Sequence, residues 1–144
     1  MWSVYDEAGL FVITTNSVIK NNKALVMGAG IAKQTRDRFP GIDKAIGQRI
    51  LQICKAGGIY GLIVSDRWPA GKIAAFQTKT NYSDPASLSL IKQSTEMLAE
   101  WCRNNPNQQV HINFPGIGNG GLHRTTVLPI IQTLPNNVTV WEAR

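Results

Sequence analysis

The sequence predicts an α/β fold in which helices cover both faces of a largely parallel sheet. Strand-length runs rich in β-branched residues alternate with helical stretches along much of the chain, the signature of layered α/β units. Gly, Pro and Asn clusters punctuate that alternation where turns are needed. Composition agrees: 144 residues, 43% hydrophobic and only 17% charged, suit one packed domain over residues 1–144 and exclude a disordered tail.

Leu10-Phe11-Val12-Ile13-Thr14-Thr15 reads as the first strand and runs into a polar loop, Asn16 to Lys23. A helix is expected after Gly30, with Ile31, Ala32, Thr35 and Phe39 at helical spacing until Pro40-Gly41. Asp43 is placed to cap a second helix through Ile46, Ile50, Leu51 and Cys54, closed by Gly57-Gly58. Strands are expected from Ile59 to Ser65 and from Lys72 to Gln77, around the turn-rich Asp66-Arg67-Trp68-Pro69-Ala70-Gly71. Ser87 to Cys102 carries Leu88, Ile91, Thr95, Leu98 and Trp101 on one face and is the clearest amphipathic helix. Asn104-Asn105-Pro106-Asn107 ends it. Val110 to Phe114 alternates as a strand; a short helix around Val127 to Leu134 and a strand Val138 to Trp141 follow. There is no internal repeat, low-complexity segment or interdomain linker.

Fifteen Lys and Arg against nine Asp and Glu give a net charge of +6, scattered without any run of five. This suits an anionic ligand, or weak attraction to nucleic acid, better than a dedicated basic arm. Cys54 and Cys102 lack any C-x-x-C or Cys/His cluster spacing, so buried free thiols, no metal site and a reducing compartment are expected. With no signal-like N-terminus and no apolar stretch approaching 18 residues, the chain is expected to be cytosolic, monomeric and independent of membranes.

Two glycine-rich segments stand where strands hand over to helices: Met27-Gly28-Ala29-Gly30-Ile31-Ala32 and Pro115-Gly116-Ile117-Gly118-Asn119-Gly120-Gly121-Leu122. In open α/β sheets ligands sit outside the carboxyl ends of the strands. Glycines there let the backbone approach a ligand, and the N–H groups opening the next helix can donate to phosphate oxygens. Each glycine also suits an ordinary tight turn. Gly116, Gly118 and Gly121 spell G-x-G-x-x-G, with Glu142 about twenty residues on, as a dinucleotide fingerprint would require. That motif belongs to the first βα turn of a larger unit, whereas only one helix and one strand follow it here. No G-x-x-x-x-G-K-[ST] is present, since Ile73 follows Gly71-Lys72.

At these loops the sequence resembles the macrodomain family, above all the branch of the terminal ADP-ribose glycohydrolase and the antitoxin that removes ADP-ribose from DNA. The matching pieces keep their order: Val12 to Val18, Met27 to Ala32 with Phe39-Pro40, Phe76-Gln77-Thr78-Lys79, Phe114 to Leu122, and Val138 to Glu142. The resemblance implies a three-layer α/β/α sandwich with a mixed, largely parallel sheet and an ADP-ribose cleft. It implies that Asn16 contacts the distal ribose, although Asn after a strand is also a common turn residue. It further implies that Gly28, Ala29, Gly30, Ile31 and Ala32 line that ribose and a phosphate. Gly116, Ile117, Gly118, Asn119, Gly120, Gly121 and Leu122 would wrap the diphosphate, with any side chain at Gly120 in the phosphate path. The N-terminal Gly-Asp-Ile/Leu segment that holds adenine in relatives is missing, leaving Asp6 as a weak substitute, and the loop from Val18 to Val26 is longer than in the DNA-directed relatives.

For catalysis the resemblance points to Lys79, where relatives carry a lysine used in de-ADP-ribosylation. A lysine amine attacks an anomeric carbon only once deprotonated, which burial or neighbouring cations promote. Relatives place an acid directly after the second glycine loop; this chain has His123. A neutral histidine can serve as a general base or contact a phosphate, but it supplies no fixed negative charge. His123 is thus a second catalytic candidate, whereas His111 reads as a strand residue. The expected activity is an ADP-ribosyl hydrolase acting on modified protein or nucleic acid, without a cofactor. A phosphatase for ADP-ribose 1″-phosphate, which needs no lysine, and a non-catalytic ADP-ribose reader are the alternatives.

Overall fold

A computed structural model describes residues 1–142. Five strands, β1 (Leu10–Thr15), β2 (Leu62–Val64), β3 (Ile73–Gln77), β4 (Val110–Asn113) and β5 (Val138–Trp141), form one sheet in the order β2-β3-β1-β4-β5. β1 lies at the centre, parallel to β3 and β4, with β5 parallel to β4. Only the edge strand β2 is antiparallel. Four helices complete the fold: α1 (Gly30–Arg38), α2 (Ile42–Ile53), α3 (Leu88–Asn104) and α4 (Arg124–Ile131).

Because side chains alternate along a strand, β1 and β3 feed two cores at once. Phe11, Ile13, Ile73 and Ala75 face one side, with Ile42, Ile46 and Ile50 of α2. Leu10, Val12, Ala74 and Phe76 face the other, with Ile91 and Leu98 of α3 and Val127 and Ile131 of α4. Helices therefore cover both faces of the sheet, as the alternating pattern predicts. No helix among the described residues is long and apolar enough to cross a membrane.

Several boundaries differ from the sequence expectation, each for a local reason. The cap of α2 is Gly41, and Asp43 sits inside the first turn, where its charge favours the helix dipole. The strand expected from Ile59 shrinks to three residues because the Gln77 side chain, not a neighbouring strand, accepts from the amides of Tyr60 and Gly61. α4 starts three residues earlier than expected, His123 being its N-cap, and stops at Ile131 as Thr133 and Leu134 turn back onto Ile130 and Ile131. The N-terminus forms a 3-10 turn over Trp2–Glu7 that hydrophobic periodicity does not mark. Its Trp2 stacks on Phe11 with 4.5 Å between centroids, and Arg38 covers the indole at 4.3 Å. Cys102 is buried and Cys54 only half-buried; both thiols are free.

The long loop after β1 is a small folded unit. Ile19 pairs with Leu25 in a bridge, and the Leu25 amide donates to the Asp43 carbonyl of α2. A β-carbon on Gly47 would fall 2.1 Å from the Lys23 carbonyl, so the loop packs on α2 only because Gly47 has none.

His111 of β4 is 7% exposed, and its Nδ1 accepts from the Trp141 indole of β5 at 2.9 Å. Burial holds its pKa below the ordinary 6.5, the N-terminal amine pushing the same way and Glu7 opposing. Protonation of Nδ1 also removes the acceptor for Trp141. A group whose folded pKa is depressed contributes stability that is complete above the unfolded pKa and lost as pH falls through the folded one. The urea midpoint is accordingly expected to drop between pH 7.5 and 5.5, above the carboxylate range. His111→Gln, which keeps an acceptor but does not titrate, should flatten that drop; an equal drop in both proteins would remove the assignment.

Candidate functional site

β1, β3 and β4 run parallel, so their carboxyl ends open on one edge of the sheet. Both glycine loops and Lys79 emerge there. The first loop leads into α1 and the second follows β4, while Lys79 lies two residues beyond β3. Asn113 ties the end of β4 to β1, its amide donating to Thr14 Oγ1 at 2.8 Å while its carbonyl oxygen accepts from the Thr14 amide at 3.1 Å.

The two loops meet. A β-carbon built on Gly30 would point within 4.0 Å of Asn119 Nδ2, and Gly30 itself holds φ +57°, a conformation that a side chain would strain. The second loop folds on itself through a 3-10 turn at Gly118–Gly120 and is closed by the Leu122 amide on the Gly116 carbonyl at 2.9 Å. Gly28 faces open space, with nothing within 4 Å of a built β-carbon. At Gly120 a β-carbon would meet Ala86 at 3.1 Å, so a substitution there also acts on packing against the approach to α3.

The helix termini separate into two kinds. Ser87 caps α3 by accepting from the Leu90 amide, and Asp43 stands in the first turn of α2. α1 and α4, the helices that follow the glycine loops, have neither a side-chain cap bond nor an acid in the first turn. Their first N–H groups keep the partial positive charge of a helix N-terminus, an arrangement that attracts phosphate. Lys33, in the first part of α1, is drawn along the helix to Asp37 at 2.8 Å, which holds the Asp37 carboxyl below its usual range. Lys33 is thereby committed to a partner within α1.

Asn16 is 8% exposed and its amide serves the loop: Nδ2 donates to the Val26 carbonyl at 3.0 Å, and Oδ1 accepts from the Val18 amide at 2.8 Å. One N–H and one lone pair stay uncommitted. Lys79 is half-buried, and its Nζ reaches three backbone carbonyls, Asp84 at 3.3 Å and Tyr82 and Asn119 at 3.4 Å. The last of these joins Lys79 to the second glycine loop. Each bond is long, so the amine is held by the three together. His123 is exposed, and its imidazole makes no hydrogen bond among the described residues. Asp6 lies at the other end of the sheet, where its carbonyl and those of Tyr5 and Ala8 surround Lys72 Nζ just before β3. It is therefore no substitute for an adenine-binding acid at this edge.

Gln77, which the sequence marks only as a neighbour of Lys79, carries the support. It is fully buried, and its Oε1 accepts from Tyr60 and Gly61 while Nε2 donates to the carbonyls of Gly58 and Lys79. Every donor and acceptor of the amide is used. A buried amide ending a strand is its only trace in the sequence.

No protein-family model matches the sequence, nor does any curated protein. Solved structures do. The macrodomain of Mycobacterium tuberculosis DarG aligns with a TM-score of 0.65 and 26% identity over 94% of this chain and 88% of that one. The chain is a macrodomain by fold. The macrodomain of Thermus aquaticus DarG aligns with it at TM-score 0.66 and 21% identity, over 95% and 89% of the two chains. Thermosipho africanus DarTG in complex with ADP-ribose aligns at a TM-score of 0.70 and 18% identity; the match covers 94% of this chain but 38% of that longer one.

Replacing Gln77 by the similarly sized Leu leaves the Tyr60 and Gly61 amides without their acceptor. At about 1–3 kcal/mol for each unsatisfied buried group, Gln77→Leu is expected to lower unfolding free energy by about 3 kcal/mol or more in urea titration. A loss below about 1 kcal/mol would show that the network is dispensable.

Proposed function

We propose that this macrodomain binds ADP-ribose across its two glycine loops and removes it from a modified protein or nucleic acid. The observation that carries the reading is the pairing of uncapped helix N-termini with glycine loops that converge at Gly30 and Asn119. A diphosphate has the charge and the acceptors that two such termini lack, and ADP-ribose is the ligand in the Thermosipho DarTG complex. Asn16 then acts chiefly by fixing the first loop, with its free N–H available to a ribose hydroxyl.

Hydrolysis adds water across the bond between the distal ribose and its acceptor, the acceptor departing with a proton. Lys79 is the proposed catalytic residue. To act as a nucleophile its amine must lose a proton and leave its carbonyl partners. His123, exposed at the cap of α4, is the proposed proton carrier. A reader that binds ADP-ribose without turnover is the second reading, favoured by the triple tether of Lys79 and by the absence of an acid at position 123.

Calorimetry with ADP-ribose tests the binding, and Gly28 is the position to vary because it faces open space. Gly28→Ala is expected to bind normally. Gly28→Trp is expected to lose at least about tenfold in affinity, or 1.4 kcal/mol, with its melting temperature unchanged. Retained affinity in Gly28→Trp would discredit the first loop as a ligand wall. Release of ADP-ribose from modified protein or DNA, abolished in Lys79→Ala while binding persists, distinguishes the hydrolase from the reader.

A further inference from the structure

Lys79 has a second side. Away from the glycine loops it forms one wall of a separate cleft of about 340 Å³, between the segment leading into β2 and the first turns of α3. Thr80, Asp84, Ser89 and Gln93 give this cleft its polar groups, and Ile59 and Leu90 its apolar flank. Ile59 is 54% exposed, which leaves apolar surface open on this flank. None of the glycine-loop residues lines it, so it is not part of the diphosphate edge.

We infer that this second cleft receives the acceptor to which ADP-ribose is attached, and that the acceptor it fits is a polypeptide segment with an uncharged or basic side chain. The inference rests on the ADP-ribose reading of the glycine loops. Lys79 touches Asn119 on one side and lines this cleft on the other, so a group joined to the distal ribose would continue past Lys79 into it. Hydroxyls, a primary amide and a short apolar flank match the mixed hydrogen bonding and aliphatic surface of a peptide.

Charge argues against a nucleic-acid strand in this place. Affinity for a nucleic-acid strand comes chiefly from Lys and Arg that neutralise its phosphates, yet among the described residues Lys79 is the only cation lining the cleft, its Nζ is engaged by three carbonyls, and the cleft contains the carboxylate of Asp84. From residue 79 to 100 the chain carries Lys79 and Lys92 against Asp84, Glu96 and Glu100. Residues 16–55 hold eight Lys and Arg against two Asp, equal to the whole net charge of +6. Most of that basic segment is α1 and α2, which cover the opposite face of the sheet from α3.

The test measures affinity for three ligands: free ADP-ribose, an ADP-ribosylated peptide with lysines flanking the modified residue, and an ADP-ribosylated DNA oligonucleotide. The peptide conjugate is expected to bind about tenfold more tightly than free ADP-ribose, the worth of one or two hydrogen bonds. Asp84→Asn and Ser89→Phe, both at exposed positions, should erase that gain and leave free ADP-ribose unchanged. Equal affinity for peptide conjugate and free ADP-ribose would overturn the inference. So would a gain for the oligonucleotide that these same variants erase, or a peptide gain that survives both. Absence of binding to free ADP-ribose would instead overturn the reading of the glycine loops, and this inference with it.

Discussion

The amide of Gln77 is the interaction on which the carboxyl edge of the sheet depends. It sits at the last residue of β3, beside Thr15 at the last residue of β1, where the parallel ladder runs out. Backbone groups beyond that point have no strand to pair with, and burial makes their isolation costly. One side chain resolves this by accepting from the two amides just before β2, Tyr60 and Gly61, and donating to two carbonyls, one of them that of Lys79. The same bonds shorten β2, end β3 and fix the backbone from which Lys79 projects. Ser94 of α3 reinforces the junction by donating to the carbonyls of Gly61 and Gln77.

Against that rigid edge, the bare N-termini of α1 and α4 are a local loss of stability. A capping side chain contributes about 0.5–2 kcal/mol, and the chain uses one on α3. Leaving it out at the two helices that follow glycine loops is consistent with termini kept open for a ligand, which would supply the missing acceptors on binding. Such exceptions to local rules concentrate at functional sites. α2 also lacks a capping side chain but carries Asp43 in its first turn, so among the described helices α1 and α4 alone have neither a cap bond nor an N-terminal acid.

What the sequence made legible was whatever depends on periodicity. β1, β3 and α3 were readable to within a residue or two because Leu10 to Thr15, Ile73 to Gln77 and the α3 face are long enough for burial to impose its repeat. The turn at Trp2–Glu7 escaped because it is held by aromatic contacts with Phe11 of β1 and with Phe39, more than thirty residues on, and not by a repeat of its own. The glycine loops were legible as loops, but their meeting at Gly30 and Asn119 depends on the strand order, which brings β4 next to β1. Asn16 and Gln77 show the limit most clearly. Both are amides at strand ends, and only the partners brought by folding reveal that one staples a loop and the other supports a lysine.

Lys79 joins these levels. Its three carbonyl partners come from two segments, the turn at Tyr82 to Asp84 and the second glycine loop, so the lysine is a tie between them as well as a candidate for chemistry. Bonds of 3.3–3.4 Å are near the limit of useful geometry, and a displacement of a few tenths of an ångström in Asn119 breaks one of them. Under the proposed function, a diphosphate wrapped by the second loop would meet that residue. Ligand binding and the freedom of the lysine would then be coupled through the Asn119 carbonyl, and the coupling would act in both directions, as any linkage must. The bond that ties Lys79 to the second loop is the one that a ligand there would be placed to loosen.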